Sequence, residues 1–314
     1  MKIRDLFRTE PQTFSFEFFP PKTSQEVDEL LERIGVLKAL GPSFMSVTYG
    51  AGGSTRRNTF DLVCRCQEAL GIAAMAHLTC VGHSQTELRE ILRELQCRGV
   101  DNLMCLRGDP PRGQDNFTPA PDGFAHAHEL VTLARTLGDF SIGVAGYPET
   151  HPECADPQRD LEHLHAKVAC GADFITTQLF FDNRDYFAFC ARARQRGIQA
   201  RIIPGIMPIT NYRQIVRFTT MCGASLPEAL RQRLEPVADD PHAVLEIGVD
   251  WAWRQCEELL AQGAPGIHFY TLNRSLATQR IFAQLQTSSV ANLLPTGGVS
   301  APPAPEGHSP GTVL

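Results

Sequence analysis

Long apolar runs are missing from this 314-residue chain. None reaches the roughly 18 residues that a membrane-spanning helix needs, and the opening MKIRDLFRTEP has no apolar centre of the kind a secretory signal carries. These absences lead to an expected cytoplasmic location with no membrane partner. Basic excess is missing too: the net charge is −6, which gives no reason to expect nucleic acid or an anionic surface as a partner. Ten cysteines are present, yet no C-x-x-C occurs. Only Cys64 and Cys66 lie close together, and residues two apart on a helix face different ways, so no metal site and no disulfide framework is expected. A dinucleotide fingerprint is also absent, because in TYGAGGST the third glycine position is held by Thr55.

What is present is one unit repeated. Strand-like runs occur at 13–19, 44–50, 73–80, 102–108, 140–147, 173–181, 200–207 and 266–272, and segments with helical spacing lie between them. Ser24 and Ser84 stand where helices should begin, and Gly99, Gly138, Gly171 and Gly197 where they should end. Strands alternating with helices in this number give an α/β chain with a (β/α)8 TIM-type barrel. A doubly wound sheet is the competitor, but the glycine fingerprint expected after its first strand is missing. An extra helical stretch, Leu226 to Gly263, interrupts the pattern before the last strand, and Trp251 and Trp253 within it read as packing residues. Residues 1–286 are expected to form a single catalytic barrel. Residues 287–314, rich in Pro, Gly and Ser, are expected to form a disordered tail.

Chemistry in such a barrel gathers at the C-terminal strand ends. These carry Glu17, then Thr48 and Tyr49, then His77 and Thr79, then Arg107-Gly108-Asp109, followed by Tyr147, Gln178 and Tyr270. Glu17 stands among Phe14, Phe16, Phe18 and Phe19. A carboxyl in apolar company has a raised pKa and suits a general acid, while a partner such as Arg107 would make it a structural ion pair; spacing leaves both open. Gly108 lets the backbone approach a ligand closely, and Asp109 would set a second carboxylate across the mouth. His126 and His128 read as surface residues.

The segments FSFEFFPP, SVTYGAGGST, HLTC, LRGDPP, YPETHPE, GADFITTQLFFD, IIPGIMPI and HFYTLNR occur in this order between about residues 14 and 274. Together they resemble the flavin-dependent methylenetetrahydrofolate reductases in their short bacterial form. The resemblance implies a barrel that holds FAD and uses NADH or NADPH to reduce 5,10-methylenetetrahydrofolate to 5-methyltetrahydrofolate, within one-carbon metabolism. It implies that Glu17 is the acid that opens the folate's five-membered ring and that Asp109 is a carboxylate serving both pterin and flavin. Gln178 is implied as the pterin amide partner, Gln214 and Phe218 as contacts of nicotinamide or folate, and Arg274 as a residue near the substrate. Thr48, His77, Arg107, Gly108, Ala145, Tyr147, His151, Asp160 and Lys167 match flavin contacts. An assembly of copies of the chain is expected.

Two departures from the family pattern stand in the chain. His163 and Ala166 replace a common Asn and Arg, which removes one cation from the flavin helix, and Arg57 stands where an acidic residue is frequent. Two other classes compete: a flavin-free aldolase-like barrel, which would need a lysine where strand six offers Gln178, and a catalytically silent flavin- or folate-binding barrel, which would be favoured by loss of Glu17 or Asp109.

Overall fold

Side chains alternate across a strand, so a barrel strand must satisfy two interiors at once: the tube inside and the helices outside. The computed structural model describes residues 1–21, 23–50, 56–110, 113, 116–273 and 275–293. Its order is α1 (Ile3–Thr9), β1 (Thr13–Phe18), α2 (Ser24–Lys38), β2 (Phe44–Val47), α3 (Arg56–Leu70), β3 (Ala73–Thr79), α4 (Gln85–Cys97), β4 (Asn102–Leu106), α5 (Ala127–Leu137) and β5 (Ser141–Gly146). There follow α6 (Pro157–Ala169), β6 (Phe174–Thr177), α7 (Asn183–Gln195), β7 (Arg201–Ile203), β8 (Gly205–Ile206), α8 (Tyr212–Cys222), α9 (Glu228–Leu234), α10 (Pro241–Ala261), β9 (Gly266–Tyr270) and α11 (Ser275–Leu293).

All strand pairs are parallel, in the order β7-β6-β5-β4-β3-β2-β1-β9-β8. β7 and β8 are two halves of one run split by Pro204, which has no N–H to give to the ladder. The carbonyl of Pro204 still accepts from His268 N at 2.9 Å. β7 pairs with β6 and β8 with β9, so the ladder closes on itself and the expected eight-stranded barrel results.

Outward side chains such as Phe16, Phe18, Leu78, Ile142, Ile175 and Phe269 pack against Ile34, Leu92, Leu130, Phe189 and Ile281 of the surrounding helices. Inside, Phe44, Ala73, Met75, Met104, Phe174 and Ile203 fill the lower tube, and Ile3 and Leu6 of α1 plug it. Sequence spacing gives no hint of α1: its N-cap, Lys2, makes no side-chain cap bond. Ser84 caps α4 as expected, within a capping box with Glu87. The cap of α2 is Thr23, one residue before the expected Ser24. The extra stretch before the last strand is α9, a 3₁₀ turn (Glu235–Val237) and α10. Trp251 there donates to the Phe181 carbonyl at 3.1 Å, and Trp253 packs on the main core. α11 runs past Gln286 to Leu293, and residues 294–314 of the expected tail lie outside the described residues. Among the described residues no helix is long and apolar enough to cross a membrane.

Candidate active site

Glu17 follows from the pleat. Phe16 and Phe18 turn outward into the helix-facing core, which turns Glu17 inward, and only 8% of it is exposed. Register puts Ser46 of β2 and Tyr270 of β9 beside it. His77 Nε2 of β3 lies 3.4 Å from its Oε2, and His268 Nε2 of β9 lies 3.3 Å from the same oxygen. The expectation of a raised pKa fails on this geometry. Burial does push the carboxyl up, but His77 and His268 outweigh it and hold it below the usual range. Of the phenylalanines that suggested apolar company, Phe14, Phe16 and Phe18 are on the other side of the sheet, and Phe19 lies exposed beyond the end of β1. Burial, with His268 adding to it and Glu17 opposing, lowers His77. Arg107 is not the partner. Its fork grips Glu153 at 2.8 and 2.6 Å, and its face lies 4.7 Å over the Phe117 ring.

A second group gathers over β4, β5 and α6. The rings of Tyr147 and His151 meet edge to face at 4.6 Å. His151 N donates to Asp160 at 3.3 Å, and its Nδ1 accepts from Glu153 N at 3.1 Å. Lys167 reaches in from α6 and donates to the carbonyl of Ala145 at 2.6 Å. Burial lowers this amine to about 8, against the pull of Asp160. Burial also raises Tyr147, helped by the charges of Asp109 and Asp160, which puts exposed Asp109 within electrostatic reach of the mouth. Gly108 has φ +89, and a Cβ there would lie 2.5 Å from Val81, so only glycine fits this turn.

Other expected residues surround these two groups. Thr48 N donates to Phe18 O at 2.9 Å, and its carbonyl accepts from Thr59 at 3.0 Å. Gln178 N donates to Gly146 O at 2.7 Å, which holds this side chain at the end of β6. Tyr270 bridges the top by donating to Thr177 O at 2.7 Å. It needs Gly205 below it, where a Cβ would run into Thr177 O and the Tyr270 ring. Gln214 and Phe218 sit apart on α8, beside Asn211, Arg213 and Arg217 in a cleft of about 530 Å³. Phe218 connects to the mouth through an apolar cluster that also holds Leu179, Met207 and Tyr270. Arg274 and positions 51–55 of the glycine loop lie outside the described residues.

Sequence reasoning missed three participants: His268, Ser15 and Glu153. Ser15 precedes Glu17 by two residues and His268 precedes Tyr270 by two, so the strand period already put each on the inward face. Four inward polar atoms, Ser46 Oγ, His77 Nε2, Thr79 Oγ1 and Thr176 Oγ1, are buried without a hydrogen-bond partner. Such atoms are costly unless a ligand or water meets them.

An acid-bearing, polar-lined barrel mouth is compatible with several chemistries, and the sequence relatives narrow the choice. The family described as methylenetetrahydrofolate reductase matches residues 2–286. Methylenetetrahydrofolate reductase (NADH) 1 of Arabidopsis thaliana is 41% identical over 283 residues, covering 87% of this chain and 48% of that protein. The chain therefore spans about half the length of its plant relative. The 5,10-methylenetetrahydrofolate reductase of Escherichia coli is 39% identical over 261 residues, covering 83% of this chain and 86% of the relative. Among solved structures the fold is similar to that of an uncharacterized protein from Clostridium thermocellum that binds two copies of 5-methyl-5,6,7,8-tetrahydrofolic acid. The TM-score is 0.61 at 14% identity, with 93% of this chain and 100% of that one covered. With the family matched along the whole barrel and a relative of similar length at this identity, the chain belongs to the methylenetetrahydrofolate reductase family.

Proposed function

We propose that this chain reduces 5,10-methylenetetrahydrofolate to 5-methyltetrahydrofolate, drawing electrons from NADH or NADPH through FAD in a ping-pong sequence. One observation carries the reading: the chain covers 86% of an E. coli relative of that name at 39% identity. The name of the plant relative favours NADH as donor. The cytoplasm is the proposed compartment, and an assembly of copies of this chain the proposed form in solution.

The mouth fits a large anionic cofactor on two counts. Four of its buried polar atoms lack hydrogen-bond partners, and Lys167 offers a cation whose one hydrogen bond is to a neutral carbonyl. Thr48, His77, Arg107, Gly108, Asp109, Ala145, Tyr147, His151, Asp160 and Lys167 would hold FAD. When bound, FAD supplies the two-electron relay that lets nicotinamide and folate react in turn. Lys167 answers the diphosphate charge, because the charge of Arg107 is already balanced by Glu153. The Gln178 amide, which can donate and accept, suits the mixed edge of a pterin, and Asp109 offers it a carboxylate. Glu17 provides the proton. The folate ring opens only as its nitrogen is protonated, and Glu17 is the one carboxyl the described strands turn into the mouth. His77 and His268 hold it ionised beforehand, so the role requires proton uptake as the substrate arrives and deepens its burial, which raises a carboxyl.

The test is product analysis. Protein loaded with FAD and supplied anaerobically with NADH and 5,10-methylenetetrahydrofolate should form 5-methyltetrahydrofolate in step with NADH consumed. A protein that takes up no FAD, or consumes NADH without making this product, would sink the reading.

A further inference from the structure

Leu179, Phe180 and Phe181 join β6 to α7 and are buried, although they belong to no strand or helix. A buried loop must find partners for its carbonyls, and here side chains of α10 supply them. Phe180 O accepts from Gln255 Nε2 at 3.2 Å, and Phe181 O from Trp251 Nε1 at 3.1 Å. Gln255 Nε2 also reaches Asn183 Oδ1 at 3.3 Å. The Asn183 amide donates back to Gln255 O at 3.1 Å and to Glu258 at 2.8 Å. Gln255 and Asn183 are only 6% and 5% exposed, so water does not compete for these bonds. Gly248, Trp251 and Gln255 follow one another at helical spacing and form one stripe of α10. Gly248 lets that stripe sit close to the barrel, because a Cβ there would run into Ile209 O. The held loop starts beside Gln178. Leu179 N donates to Gln178 Oε1 at 2.9 Å, so the same backbone orients the Gln178 amide.

We propose that Gln255 and Trp251 are positioning residues for the folate: by holding the Phe180 and Phe181 carbonyls they set where the Gln178 amide meets the pterin edge. The inference rests on the reading of Gln178 as the pterin partner. It gives the extra helical stretch before the last strand a task in the reaction, as a brace for one wall of the mouth. A shift of the loop would move Gln178 with it, since only Leu179 separates that residue from the first held carbonyl. The groups proposed for FAD hang on other elements: Lys167 on Ala145, Arg107 on Glu153 and His151 on Asp160. Loss of the brace is therefore felt by the folate and not by the flavin.

Two affinities separate this role from general damage: that of FAD-loaded protein for 5-methyltetrahydrofolate, by calorimetry, and that of the protein for FAD, by flavin fluorescence. Gln255→Leu keeps the bulk and removes the donor, and Trp251→Phe keeps a ring and loses the N–H. Each should weaken folate binding about tenfold, the cost of leaving one buried carbonyl unpaired, and leave FAD affinity as it is. Gln178→Ala should weaken folate binding too. In its presence Gln255→Leu should add little, because there is no amide left to misplace. An equal loss from Gln255→Leu with and without Gln178 overturns the proposal, as does undiminished folate affinity in Trp251→Phe and folded Gln255→Leu. A matching loss of FAD affinity also overturns it, because the damage would then be general. Wild-type protein that takes up FAD yet binds no folate would sink the proposed function itself, a result seen before any variant is made.

Discussion

Lys167 is a cation whose charge depends on its visitor. Burial lowers it to about 8 from an ordinary 10.5, and its amine donates to a carbonyl. A diphosphate beside it would favour the charged form, so binding keeps the proton that the free protein loses as pH rises past 8. FAD affinity should therefore be flat below pH 8 and fall above it, by up to about tenfold per unit. Lys167→Met should bind FAD more weakly and without this slope, as a fluorescence titration across pH 6 to 10 would reveal. A wild-type affinity that is level through pH 9 would place the diphosphate elsewhere. Position 166 belongs to the same question. Ala166→Arg should retain FAD better on dilution, and equal release from both forms would rule out a cation there. At this scale the sequence named Glu17 but misjudged its surroundings. Chain neighbours of a strand residue lie on the opposite face, so Phe16 and Phe18 say nothing about its solvation. The residues that decide it, His77 and His268, come from other strands.

Among the elements, the turn after β9 fixes the end of β1. Asn273 accepts from Phe19 N at 2.8 Å and donates to Phe19 O at 2.9 Å, so its amide continues the ladder where the strands stop. Thr271 donates its hydroxyl to Glu17 O at 2.6 Å. Leu272 and Asn273 both have positive φ, 51° and 59°, a conformation that asparagine tolerates better than most residues. Asn273→Ala should cost about 1–3 kcal/mol and speed hydrogen exchange at the Phe19 and Thr271 amides. Exchange that stays slow there would show that the ladder holds without the clamp. Strands and long helices were legible because period and caps repeat along the chain. α1 was not, since seven residues with an uncapped start carry too little pattern. The break between β7 and β8 was written in Pro204 and passed over, because the apolar run continues through it.

For the molecule as a whole, the barrel needs closing at both ends, and each end does something different. α1 seals the bottom: Ile3 is fully buried against the lower tube, and its N–H donates to Asn102 at 2.8 Å. Ile3→Ala should lower unfolding stability by about 2–5 kcal/mol in a single denaturant transition. An unchanged midpoint would mean that the tube closes without its plug. The top is where the two proposed half-reactions would meet, and there the account turns on Glu17. Glu17→Gln keeps the shape and removes the transferable proton, so it separates the steps. In a stopped-flow experiment with FAD-loaded protein, reduction by NADH should proceed at close to the wild-type rate. Reoxidation by 5,10-methylenetetrahydrofolate should slow by at least about 10⁴-fold, the upper end of general-acid effects, because the ring opening cannot be bypassed. Equal reoxidation rates in wild type and Glu17→Gln would contradict the account and leave Glu17 a structural carboxylate among histidines.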